Sequence, residues 1–170
     1  MPEAKPARYF ITHRYPHLGP IEVEIWEEFL RKTDLKFIKL EYDVRVGEPK
    51  VPKYYYDRYR TLKKLAEVDP KYKFELKVVE ATIKCFEALT KLRIDVVGET
   101  EDAIWIFEVK PRAGRSALGQ LLAYAYWYER QYRPTKPIKL AVVCAEVDHN
   151  MLPLFERFGI YVFNVKEMKK

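Results

Sequence analysis

The chain reads as a single α/β domain in which a central mixed β-sheet is flanked by helices, and three observations predict it. Apolar residues recur at helical spacing in an early segment, 21–32, and again in a late one, 116–132. Between and after them lie short stretches that alternate apolar with polar residues or are apolar throughout, as strands do. The two kinds of segment interleave along the chain, which is the order of layered α/β domains. With 170 residues, 48% of them hydrophobic, there is material for one proper core.

Taken in order, residues 1–19 hold three prolines and a glycine and read as irregular, with a short strand at Arg8–Thr12. A helix is expected from Gly19-Pro20 through Ile21–Lys32, because proline suits a first helical turn. Phe37–Val46 alternates and ends at Gly47, as a strand would. Residues 48–90 differ in character: a tyrosine- and lysine-rich stretch leads to a helix near Lys77–Leu89, and the whole reads as an insertion into a simpler core. LRIDVV and AIWIFEVK are two strands whose short acidic connection, GETED, suggests a hairpin centred near Thr100–Glu101. A helix follows from about Ser116 to Tyr132. Ile138–Ala145 is a continuous apolar run of the kind buried on both sheet faces. A short helix near Asn150–Phe158, a stop at Gly159 and a strand Ile160–Val165 complete the order.

Composition narrows the function classes. The formal net charge of +6 suits a polyanionic partner, although 25 acidic residues are interspersed. One serine, two asparagines and two glutamines beside abundant Lys and Glu is the bias of proteins from hot environments. Cys85 and Cys144 lie far apart in apolar stretches and read as buried thiols, with neither zinc spacing nor a disulfide framework. No segment has the length of a membrane span and the start has no signal-peptide core, so the expectation is a cytoplasmic protein without a membrane partner. There is no GxGxxG and no phosphate-cradling glycine loop to suggest a nucleotide cofactor.

The chemistry concentrates in the two hairpin strands. In IWIFEVK, alternation puts Glu108 and Lys110 on one face, about 7 Å apart by strand rise. Charges on an otherwise apolar strand are costly unless something uses them. Asp95 interrupts LRIDVV in the same way. The expected turn sets Asp95 opposite Ile106, on the face of Glu108, so that two carboxylates lie close together; a one-residue slip would separate them. Such a pair suits a hard divalent cation that keeps several waters and accepts phosphate oxygens. A helical wheel of 21–30 places Ile21, Val23, Ile25, Trp26, Phe29 and Leu30 on one apolar face with Glu22 at its centre, while Glu24, Glu27 and Glu28 face water.

At these residues the chain resembles the PD-(D/E)xK nuclease superfamily, whose pattern is an Asp, a gap of about a dozen residues, and Glu-x-Lys in the next strand. Here the pattern is Asp95, then Glu108-Val109-Lys110, with Ile94 in place of the usual proline. GQLLAY adds Gln120 and Tyr124, which resemble the QxxxY motif of the RecB-type branch and share a helix face. The resemblance covers roughly residues 19–47 and 91–165. It implies a restriction-endonuclease-like core and a Mg²⁺- or Mn²⁺-dependent deoxyribonuclease, endonuclease or exonuclease, that hydrolyses phosphodiester bonds. Asp95, Glu108 and the Val109 backbone carbonyl would ligate metal, with Glu22 a further candidate, and Lys110 would position the attacking water. Gln120 and Tyr124 complete the catalytic set.

DNA is the partner this reading requires, and a homodimer is compatible with it. Arg112 and Arg115, in the segment leading to the QxxxY helix, are expected to contact phosphate. Residues 50–77 hold nine Lys/Arg against four Asp/Glu, with rings interleaved, so Lys53, Tyr55, Arg58 and Arg60 are nucleic-acid-binding candidates. The competing reading of that stretch is a helix with tyrosines packed inward and lysines in water. His13, His17 and His149 are scattered and read as ordinary surface or capping histidines. The alternative for the whole chain is a catalytically silent nucleic-acid-binding protein of the same fold.

Overall fold

The computed structural model describes residue 15 and residues 17–169; the expected strand at Arg8–Thr12, and His13, lie outside them. Two compact units form: Arg45–Leu92 is one, and the described residues before and after it make up the other.

The larger unit is an α/β architecture with a central mixed sheet flanked by helices. Its elements are α1 (Pro20–Lys32), β1 (Lys39–Val46, which runs into the second unit), β2 (Leu92–Glu99), β3 (Ile104–Ala113), α4 (Arg115–Tyr132), β4 (Ile138–Val147), α5 (Leu152–Arg157) and β5 (Ile160–Asn164). Five strands lie in the order β1-β2-β3-β4-β5. The short β2–β3 connection makes that pair antiparallel. The helical crossovers that follow make β3, β4 and β5 parallel. Parallel strands need both faces covered, and Val142, Val143 and Cys144 in β4 are fully buried, as an unbroken apolar run requires.

The main core lies between α1 and the sheet. Trp26 and Phe29 of α1 pack on Phe107, and Phe29 also meets Phe163, with ring centroids 5.0–5.5 Å apart. Val23 and Ile25 join them, but Ile21 does not: it is exposed in the first turn, so the buried stripe is narrower than the wheel suggests. Proline opens α1 as expected, and the Gly19 N–H donates to Glu22 Oε2 at 2.9 Å, satisfying one of the free donors of the helix start.

The second unit is a helical hairpin, α2 (Lys53–Val68) and α3 (Lys73–Thr90), joined by a 3₁₀ turn at Pro70–Tyr72. The tyrosine-rich stretch is therefore helical throughout. Leu62, Val79 and Ile83 are buried between the helices, with Tyr55, Tyr56 and Tyr59 packed against them. Cys144 is buried as expected. Cys85 is exposed, because α3 turns Leu76, Val79 and Ile83 inward and Cys85 falls on the other side. No helix of the described residues is long and apolar enough to cross a membrane.

Candidate active site

Alternation along β3 sorts its side chains. Trp105, Phe107 and Val109 belong to the core beneath α1, so Glu108 and Lys110 project from the opposite face, where α4 packs on β3 and β4. The β2–β3 register pairs Val96 with Phe107 and Val97 with Ile106, so the next position sets Asp95 opposite Glu108 itself. The turn is centred one residue later than GETED suggested, and the pairing shifts by two. An even shift preserves the face, so the two carboxylates come together.

The β2–β3 pairs end at Val96–Phe107. There the Val109 N–H, which a regular ladder would give to the neighbouring strand, donates to Asp95 Oδ2 at 2.8 Å. The N–H and C=O of a strand residue project to the same edge, so the Val109 carbonyl is directed to the side of Asp95 as well.

Glu108 is completely buried. Lys110 Nζ stands 2.8 Å from its Oε1, at ion-pair distance but off the line of a hydrogen bond, and neither carboxylate oxygen has a hydrogen-bond partner among the described residues. Burial, and then the charge of Asp95, push the Glu108 carboxyl up to about 7, against the pull of Lys110 and the Tyr124 hydroxyl. Burial likewise raises Asp95, countered by the Val109 amide, Lys110 and His17 and reinforced by Glu22. Burial pulls the Lys110 ammonium down, but Glu108, Asp95 and Glu22 outweigh it and hold it above the ordinary lysine range. Two acids and a lysine thus share a desolvated space in which each charge depends on the others.

From α4, Gln120 Nε2 donates to the Tyr124 hydroxyl at 3.1 Å. Burial and the charge of Glu108 raise the Tyr124 phenol, which keeps it a hydrogen-bond donor. The four-residue spacing of QLLAY sets Gln120 beside Tyr124, and it is Tyr124 that bears on Glu108 and Asp95. Glu22 stands close enough to bear on Asp95 and Lys110, while its Oε2 accepts the Gly19 N–H.

His17 is the residue that sequence reasoning missed. Its side chain is 2% exposed, with Nε2 3.0 Å from the Asp95 main-chain oxygen and 3.9 Å from Asp95 Oδ1. Nδ1 is buried without a hydrogen-bond partner among the described residues. It is not the surface or capping histidine expected. His149, by contrast, is exposed, in the 3₁₀ turn before α5.

The nucleic-acid-binding candidates divide. Arg112 belongs to β3, which runs to Ala113, so a single glycine rather than a loop separates it from α4. It is exposed and lines an open cleft of about 460 Å³ with Glu146, His149, Asn164 and Lys166. Arg115 is exposed at the first turn of α4. In the hairpin, Lys53 and Arg60 are exposed, Arg58 is engaged with Glu75, and Tyr55 packs its ring 5.4 Å from Phe86. Tyr55, Tyr56 and Tyr59 pack inward, as in the competing reading, while Tyr54 is exposed.

Among the described residues no group of three or more His, Cys, Asp or Glu side chains is gathered as a metal site. No family model, no curated protein and no solved structure matches the chain.

Proposed function

We propose that the chain is a divalent-metal-dependent deoxyribonuclease with a restriction-endonuclease-like core. One observation carries the reading: Glu108, fully buried and without a hydrogen-bond partner at either oxygen among the described residues, stands opposite Asp95 and forms an ion pair with Lys110 at 2.8 Å. A carboxylate buried beside a second acid, with one lysine as its ion-pair partner, is costly as a purely structural element. It suits a hard cation that takes one or two carboxylates and keeps the rest of its shell for water and phosphate. Asp95 and Glu108 would hold such an ion, with the Val109 carbonyl at the same edge and Glu22 or His17 close by.

Bound there, magnesium or manganese supplies Lewis-acid polarisation of a phosphodiester and lowers the pKa of the attacking water. The remaining work belongs to the chain. Lys110 orients the water and offsets charge building on phosphorus. Tyr124, held by Gln120, steers Glu108. The Val109 amide fixes the Asp95 carboxylate, and His17 holds the Asp95 main-chain oxygen. Arg112 and Arg115, exposed at the end of β3 and the start of α4, would meet backbone phosphates.

The test is cleavage of linear, closed circular and single-stranded DNA in Mg²⁺, Mn²⁺ or EDTA. Wild-type protein is expected to cut only with metal, and D95A, E108A and K110A to lose activity by about 10²–10³-fold while remaining folded, as removal of a central charge-stabilising group does. Full activity in any of the three refutes its assignment. DNA binding without metal-dependent cleavage by the wild type would instead favour the catalytically silent reading.

A further inference from the structure

The α2–α3 hairpin packs part of its apolar surface and leaves the rest in water. Leu62, Val79 and Ile83 form its core, while Tyr54, Leu65 and Val68 on α2 and Phe74, Val78 and Leu89 on α3 are exposed, from 37% at Leu65 to 86% at Val68. Steps of three, four and eleven residues are close to whole helical turns, so each trio lies along one face of its helix. Arg58 of α2 and Glu75 of α3 pair across the hairpin. Arg58 is one turn after Tyr54, and Glu75 is one turn before Val78, so this ion pair marks the side on which both stripes lie. The reverse side is charged, with Arg60 and Lys63 on α2 and Lys73, Lys77 and Lys84 on α3.

Taking about 150–250 Å² for a whole aromatic side chain, the six residues expose roughly 700 Å² of apolar surface. The largest apolar patch on a typical monomer is about 300–600 Å², and each partner in a standard interface contributes about 800 Å². We propose that this face is a homodimer interface, on which the same face of a second copy docks to complete a four-helix bundle. The charge pattern selects a copy of the chain as the occupant. Arg58 and Glu75 neutralise one another within the face, and the lysines sit on the reverse side, so two copies meet without like-charge repulsion. Two helices with three buried side chains gain from a second pair what a lone hairpin lacks. The inference is independent of the nuclease reading.

Light scattering and sedimentation of the full chain test it. At micromolar concentration the wild type is expected at twice the chain mass. F74E and V78E, both at exposed positions, are expected at the monomer mass with unchanged helical circular dichroism, whereas K77E on the charged side remains dimeric. A wild type that stays monomeric across the range, as a different protein or a lipid occupant would have it, overturns the proposal. So does a dimer that survives both glutamate substitutions. Cys85 gives a readout without mutation. It is exposed, and its spacing of eleven from Phe74 and seven from Val78 puts it on the same stripe. Its reaction with a maleimide should slow as protein concentration rises, and a concentration-independent rate counts against the interface.

Discussion

At the residue scale, Glu108 sets the pH dependence of the site's stability and, on the proposed function, its chemistry. Its folded-state pKa is raised from the ordinary 4.5 to about 7. Below pH 4.5 folded and unfolded chains both hold the proton; between 4.5 and 7 only the folded chain does, so stability falls as pH rises through that window and levels off above it. Asp95, raised by burial, acts in the same direction. Metal-free E108Q is therefore expected to melt above wild type at pH 8 and close to it at pH 4.5. Parallel melting curves would show that Glu108 is not the source. Magnesium should raise the melting temperature of wild type at pH 8 and leave E108Q unmoved. Y124F, which removes one hydroxyl from Glu108, is expected to weaken metal binding about 10–100-fold, the usual effect of a group behind a ligand; calorimetry with Mn²⁺ measures it. The acids and the lysine were legible in the sequence because strand parity is a strict period of two, and a charge on an apolar strand stands out against it. His17 was not, since its role rests on a contact with a residue 78 positions away.

At the element scale, two glycines separate packing from propensity. A Cβ on Gly98 in β2 would come within 2.7 Å of the Phe37 ring and 3.3 Å of Leu40. G98A is expected to cost about 1–3 kcal/mol, as overpacking does. A Cβ on Gly119, inside α4, meets nothing within 4 Å. G119A is expected to stabilise the chain by about 0.5–1 kcal/mol through helix propensity. Denaturant unfolding of the two variants should move in opposite directions, and a shared sign would contradict this account. α1, α4 and β3 were legible because each repeats one spacing over its length, and β4 because it is an unbroken apolar run. Helix α2 was harder to read: its tyrosines match strand and stacking surface as well as helix. Yet Tyr55, Tyr59, Leu62 and Ala66, at steps of four, three and four, carried the helical signal. The hairpin register was misjudged by two residues because GETED does not itself state where the turn closes, and the error was harmless only because it was even.

At the scale of the whole molecule, the chain divides its surfaces between two kinds of work: a sheet that concentrates charge in a desolvated space, and a hairpin that leaves apolar side chains in water. The net charge of +6 is consistent with a polyanion, but composition alone shows neither which arginines are free nor which tyrosines are buried. The side-chain substitute for a ladder bond at Val109 has a further consequence, readable by deuterium exchange. The protection of that single amide depends on a carboxylate rather than on strand pairing, so D95A should release one proton near the centre of the sheet while its neighbours at Val96 and Phe107 keep theirs. A loss of cutting accompanied by that one-site signature would be a loss of chemistry; faster exchange along the whole of β2 and β3 would be a loss of fold.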